Sequence, residues 1–197
     1  MDRLLKQIDF IKEIDKIKYV QRRTKLFNSN RPENDAEHSW HLAMMVLVLA
    51  EHSNETLDIV KTLKMVLIHD IVEIDAGDTF IYDAVKAHSN TEEERLAAER
   101  IFGLLPPGQA EEFIAVWEEF EAGKTKEARF ARSVDRLQPL LQNLSNNGGT
   151  WTEFGIDYEK VYQKKKVIKQ GSQLLWYYAK NLINESVEKG ILKKTGV

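Results

Sequence analysis

The sequence predicts an all-α, single-domain fold, and three observations carry that expectation. Apolar residues recur at helical spacing in each long segment, no stretch alternates at period two, and clusters of Asn, Gly and Pro separate the segments. The chain has 197 residues, enough to bury one good core, and domains commonly run about 100–200 residues. No repeat, low-complexity segment or linker divides it.

Residues 3–20 read as an amphipathic helix, with Leu4, Ile8, Ile11, Ile14 and Ile17 at helical spacing. Gln21-Arg22-Arg23-Thr24-Lys25 follows as a cationic patch, and residues 28–34 read as a loop. Asn34 or Asp35 is the expected N-cap, with Glu37 placed for a capping box on Asn34. The next helix, about 36–52, is nearly all apolar from Leu42 to Ala50 and should be central. A third, about 56–74, carries His69, Asp70 and Glu73. The pattern breaks at residues 75–79, and a loop runs to about Asn90. Thr91 then caps a helix, with Glu94 three residues on, that stops at residues 104–108. Phe113, Val116, Trp117 and Phe120 share a face of a helix over 109–122, which Gly123 ends. Residues 126–144 form another helix. After the turn Asn146-Asn147-Gly148-Gly149, a last one runs over about 158–187, interrupted or strained at Gly171. It packs, within a C-terminal segment of about 157–190, on a core of about 23–151.

Composition excludes several classes. Without cysteine there is no disulfide scaffold and no thiolate zinc site, which fits a reducing compartment. A net charge of −3 argues against a nucleic-acid polymer as partner. Residues 1–6 soon meet acidic residues and show no signal-peptide core. The apolar run 42–50 is far short of the roughly 20 residues that span a bilayer. The expectation is a cytoplasmic protein with no membrane partner.

The run Leu63-Lys64-Met65-Val66-Leu67-Ile68 ends in His69-Asp70. Neighbours on a helix point about 100° apart, so both can face one ion only where the helix end lies against a cleft and other helices complete the shell. Charged groups are rarely buried unless paired or bound to metal. Two partners stand out: His38, in Glu37-His38-Ser39, and Asp135, in Val134-Asp135-Arg136-Leu137. Imidazole and carboxylate suit a borderline or hard divalent cation. Four such ligands leave positions open for chemistry. The plain alternatives are a hydrogen-bonded core histidine and an ion pair of Asp135 with Arg132 or Arg136. Pro139 frees the carbonyl of Asp135 from its helical partner, so a bend is expected there.

The ordered set Glu37-His38-Ser39, His69-Asp70-x-x-Glu73, Gly77-Asp78 and Val134-Asp135-Arg136-Leu137-Gln138-Pro139 resembles the HD-domain metal-dependent phosphohydrolases. Within them it looks most like the 5′-deoxynucleotidases, over about residues 23–151. The resemblance implies a helical HD bundle with one divalent ion (Mn²⁺, Co²⁺, Mg²⁺, Zn²⁺ or Fe²⁺) on His38, His69, Asp70 and Asp135. It implies hydrolysis of a (deoxy)nucleoside 5′-monophosphate, and a homodimer. Glu73 matches the catalytic glutamate, Asp78 an aspartate near sugar and water, and Arg23 the phosphate-binding arginine. A shift of one residue would place Arg22 there instead. Thr24 stands where members with a defined deoxynucleotide preference carry an aromatic residue, which bears on selection against ribose.

The chemistry follows independently. A phosphate monoester dianion resists neutral water. A divalent ion lowers the pKa of bound water and neutralises phosphate charge, and an arginine fits phosphate oxygens bidentately. Glu73, one turn after His69, is the candidate acid for the leaving alkoxide; its plain alternative is a solvated helix-end carboxylate. For Arg22 and Arg23 the alternative is a surface cationic pair.

Other residues read as bland. His41 is a packing residue or an outer neighbour of the site, and His52 and His88 are surface or loop residues. Trp117, Trp176, Tyr177 and Tyr178 are core or dimer contacts, and Lys164-Lys165-Lys166 is a solvated face. Residues 146–151 form a turn bordering either pocket or dimer contact. Two competing functions remain: a non-catalytic nucleotide sensor on the same pocket, and a diiron oxygenase of HD type. The second needs histidines between Asp70 and Asp135, where only His88 occurs.

Overall fold

The computed structural model describes residues 1–83 and 92–194. His88, Asn90 and Thr91 lie outside them.

The architecture is helical, organised on α7 (Lys126–Ser145), which Thr125 caps through Ala128 N. Its buried residues run from Glu127 to Asn143. Around it pack α2 (Asp35–Leu49), α3 (Ile59–Ile68), α6 (Pro107–Ala122), α9 (Tyr158–Lys165), the 3₁₀ turn Lys166–Gln170 and α10 (Gln173–Glu188). The helix continues through Pro139. Trp117 and Trp151 are fully buried.

The N-terminal helix splits into α1 (Asp2–Glu13) and a 3₁₀ stretch, Ile14–Tyr19. Only Phe10 of α1 is buried, packing its ring 5.7 Å from that of Phe113 and 6.5 Å from that of Phe102. Leu4, Leu5, Ile8 and Ile11 are exposed, so most of the apolar stripe faces outward.

The cationic patch and loop become a short antiparallel hairpin of β1 (Gln21–Lys25) and β2 (Pro32–Asn34). No apolar alternation announces β1, because Thr24 is its one buried residue. The capping box forms as expected: Asn34 Oδ1 accepts from Glu37 N at 2.9 Å, and Asn34 N donates to Glu37 at 3.1 Å. α2 is less central than its composition implied. Leu42, Met45 and Val46 are buried, whereas Trp40, Met44, Leu47 and Val48 are exposed.

The largest difference lies in the third helix. α3 starts at its Asp58 cap and stops at Ile68. Residues 69–72 are turns, and α4 (Glu73–Ala76) is one further turn, closed by Gly77 at φ 75°. α5 spans Glu92–Phe102, and α6 ends on left-handed Gly123. A short α8, Thr150–Glu153, follows the Asn/Gly turn. The C-terminal helix is broken at Gly171, as expected. A Cβ there would lie 2.5 Å from Arg129 O and Phe130 Cα, so the glycine lets the Lys166–Gln170 segment press directly on α7. No helix among the described residues is long and apolar enough to cross a membrane.

Candidate active site

The break after α3 resolves the geometry of the His-Asp pair. His69 is the C-cap of α3, its amide bonded to Met65 O, and Asp70 already sits in a turn. Off the helix, both side chains reach one point. His69 Nε2 lies 3.0 Å from Asp70 Oδ1 and 3.9 Å from Asp135 Oδ1. From α2, His38 brings Nε2 to 3.1 Å from Asp135 Oδ1 and 3.8 Å from Asp70 Oδ2. His38, His69 and Asp135 each offer a donor atom within 4.8 Å of the others, and all three are buried.

The outer nitrogens of both imidazoles are held. His69 Nδ1 donates to Val66 O at 3.1 Å. His38 Nδ1 lies 3.2 Å from Gln138 Oε1 and 3.5 Å from Glu33 Oε2, where an N–H is the group that fits. Outer hydrogen bonds of this kind fix the tautomer and aim the other nitrogen at a metal. His69 Nε2 is buried without a hydrogen-bond partner although it lies beside a carboxylate. A lone pair facing anionic oxygen is unfavourable unless a cation stands between them. The residues therefore fit a divalent ion.

Electrostatics agree. Burial and Arg22 oppose a proton on His38, yet its contacts with Asp135 and Glu33 hold it to a pKa of about 9. Burial alone would raise Asp135, but the Arg136 guanidinium and His38 keep it well below the usual carboxylate range. Asp70 is likewise held down against burial by His69 and Arg22.

A second acidic group, Asp35, Asp70 and Glu73, lies alongside. It already holds a cation: Arg22 donates to Asp35 Oδ1 at 3.0 Å and Asp70 Oδ2 at 2.8 Å. Burial pushes the Asp35 carboxyl, beside Asp70, up to about 6. Glu73 is raised well above the ordinary glutamate range, by burial first and then by Asp70 and Asp35. Glu73, Asp78, Thr24 and both arginines line one cavity together with His69, Asp70 and Asp135. The two arginines differ there. Arg22 is ion-paired inside, while Arg23 is exposed, its guanidinium 5.9 Å from the Phe154 ring centre.

The HD domain family's sequence profile matches residues 14–176. The chain belongs to the HD-domain family. Two relatives called 5′-deoxynucleotidase HDDC2 are similar to it. The one from Danio rerio is 28% identical over 85% of this chain and 84% of its own length; the one from Mus musculus is 24% identical over 95% and 93%. A crystal structure from Magnetospirillum magnetotacticum, described as a predicted metal-dependent phosphohydrolase, superposes with a TM-score of 0.93. It is 51% identical and covers 98% of this chain and 97% of that one.

In this HD-domain protein several residues of the site escaped the sequence reading. Glu33 is 1% exposed and accepts from Gln138 at 2.6 Å and Gln142 at 2.8 Å. The signal was present: two glutamines one helical turn apart, on the same side as Val134, Leu137 and Leu141 of a core helix, need a polar partner. Lys165 corrects the solvated-face reading of Lys164–Lys166. It is 2% exposed, lines the same cavity, and donates to Arg136 O at 2.8 Å. The Asn/Gly turn borders the pocket through Thr150, whose hydroxyl and amide both bond Asn143 Oδ1. His41 is half-buried, 3.5 Å from Gln138 Nε2. Arg136, as one plain alternative had it, pairs with Asp135 at 2.6 Å.

Proposed function

We propose that this HD-domain protein is a metal-dependent phosphomonoesterase that releases phosphate from nucleoside 5′-monophosphates. The observation that carries this reading is the convergence of buried His38, His69 and Asp135 donor atoms beside a cavity that His69, Asp70, Glu73, Asp78 and Asp135 line. The names of the HDDC2 relatives supply the substrate class.

His38, His69, Asp70 and Asp135 would hold one divalent ion, whose identity among Mn²⁺, Co²⁺, Mg²⁺, Zn²⁺ and Fe²⁺ the donor set leaves open. When bound it supplies a water of lowered pKa and neutralises phosphoryl charge. Glu73, whose protonated form burial and its acidic neighbours Asp70 and Asp35 favour, gives its proton to O5′ as the P–O5′ bond breaks. The water oxygen bonds to phosphorus, and a water proton returns to Glu73. Atoms and charge balance: monoester dianion and water become alcohol and hydrogen phosphate. Asp78 lies where it can orient water or sugar, and Arg23 guards the cavity mouth, open to a phosphate oxygen. Thr24 Oγ1 is buried without a partner, so a ribose hydroxyl meets a small polar group there. This supports hydrolysis of ribonucleotides as well as deoxynucleotides.

The exposed apolar residues of α2, Trp40, Met44, Leu47 and Val48, support a homodimer. The diiron alternative gains nothing, because the second acidic cluster is filled by Arg22.

The test is a phosphomonoester panel with added Mn²⁺, Co²⁺ or Mg²⁺. Phosphate release from dAMP and AMP at comparable kcat/KM, abolished by chelator and by Asp70→Ala, is expected. Nucleotide binding without turnover under every metal would instead make the protein a sensor.

A further inference from the structure

Lys165 is buried deep in the candidate site, yet its charge has no counterion. Its ammonium carries three N–H donors, and one goes to Arg136 O at 2.8 Å. Among the described residues no carboxylate lies within 4.0 Å of it, in a chain where most other buried charges are paired. Burying an unpaired ammonium is costly. A methionine would fill the same space without that cost, so packing alone does not account for the lysine.

Its surroundings supply the account. The ammonium lies in the lining of the cavity that holds His69, Asp70 and Asp135. Burial and the Arg136 guanidinium push its pKa down to about 7, with Asp135 opposing. Arg136 is on the same wall. One of its nitrogens is on Asp135 Oδ2, and the side chain is 24% exposed, so other N–H groups remain for a ligand. Arg22 is less suited, because Asp35 and Asp70 already take its inner nitrogen. A dianionic group entering beside His69, Asp70 and Asp135 meets Lys165 and Arg136 together on one wall, both with donors to spare, while Arg23 stands at the exposed mouth.

We propose that Lys165, together with Arg136, grips the non-bridging oxygens of the substrate's phosphoryl group, so that the C-terminal segment completes the active site. The proposal rests on the phosphomonoesterase reading and adds to it a contact from α9. Gly171 has a part in it: by letting the segment after α9 press on α7, it sets Lys165 beside Arg136.

Inorganic phosphate is the probe. Its binding to the Mn²⁺-loaded full chain is measured by calorimetry, and its competitive inhibition of dAMP hydrolysis by kinetics. The proteins are wild type, Lys165→Met, Lys165→Gln, Lys165→Arg and Lys166→Met. Loss of a charge-assisted contact predicts phosphate affinity and kcat/KM about tenfold to hundredfold lower in the Met and Gln variants. Mn²⁺ affinity and melting temperature stay near wild type. Lys165→Arg recovers part of the loss, and Lys166→Met, at an exposed neighbour, changes nothing. The Gln variant can still bond the Arg136 carbonyl and decides the matter if the Met variant does not fold. Phosphate affinity within about twofold of wild type in a folded, Mn²⁺-binding variant overturns the proposal. So does joint loss of Mn²⁺ and phosphate, which makes Lys165 a prop for Asp135. If wild type binds phosphate but hydrolyses no monoester, the enzymatic reading fails while calorimetry still decides the role of Lys165.

Discussion

Replacing Glu33 by Gln should cut metal affinity while leaving stability nearly unchanged. Glu33 Oε1 accepts from Gln138 Nε2 at 2.6 Å and Gln142 Nε2 at 2.8 Å; Oε2 lies 3.5 Å from His38 Nδ1 and 3.9 Å from Arg22 Nε. The amide oxygen of a glutamine can keep the first pair of bonds. Its NH₂ then faces the imidazole N–H and the guanidinium, donor against donor. Two hydrogen bonds fall from charged to neutral strength, about 1 kcal/mol each. Against this, a carboxylate no longer has to be desolvated, a gain of similar size. The melting temperature should therefore move by only a few degrees, at about 2–4 °C per kcal/mol for a chain of this length. Metal affinity has no such compensation. Loss of an outer partner of a ligating histidine costs about 10–100-fold, or about 1.4–2.8 kcal/mol at about 1.4 kcal/mol per tenfold. Calorimetric titration of metal-free Glu33→Gln with Mn²⁺, beside thermal melts, measures both quantities. Wild-type Mn²⁺ affinity in the variant would refute the argument that Glu33 and Gln138 aim His38 at an ion.

Four further outcomes follow from the same geometry. Glu73→Gln should retain one Mn²⁺ per chain by calorimetry and lose about 10²–10⁴-fold in kcat, the usual worth of general acid help. Arg22→Ala strands two buried carboxylates and should cost about 3–5 kcal/mol in denaturant unfolding. Arg23→Ala, at an exposed position, should leave unfolding within about 0.5 kcal/mol of wild type and raise KM instead. In the metal-free protein Lys165 has a pKa of about 7 against an ordinary 10.5. Between those values the unfolded chain holds a proton that the folded one lacks, so this group's contribution to stability rises with pH over that window and is flat below it. His38, raised from 6.5 to about 9, acts with the opposite sign between those values. The stability of wild type minus that of Lys165→Met, measured across pH 6–10.5, cancels the His38 contribution; a difference that does not rise above pH 7 would contradict the burial assigned to Lys165.

The helices were legible because their signals are local. Caps, apolar spacing and Gly123 or Gly171 lie in a few consecutive residues, and the Asn34–Glu37 capping box forms as its pattern requires. The hairpin was not legible. Gln21–Lys25 is polar throughout, and what makes it a strand is pairing with Pro32–Asn34 and the ion pairs of Arg22, none of which leaves a period-two trace. Lys165 was hidden for the opposite reason. Three consecutive lysines look like a surface, but they point in three directions on a helix end, and only the fold shows which one turns inward. Glu33 and Asp35 belong to the same class: charged residues whose burial depends on partners distant in sequence.

The His-Asp pair joins the two kinds of information. Adjacent side chains on an intact helix would diverge, so the dipeptide alone already required something unusual of the backbone. The observed answer is to end the helix at Ile68, giving His69 the cap position and releasing Asp70 into a turn. Val66 O, left without a helical partner by the early end, accepts a hydrogen bond from His69 Nδ1–H at 3.1 Å and so turns Nε2 toward Asp135. Asp70 in the turn can then face His69 through one oxygen and Arg22 through the other. Continuing the helix through residues 69–72 would fill that carbonyl and swing Asp70 away. The helix break is thus part of the site, and it is why two residues side by side in the chain can face one cavity.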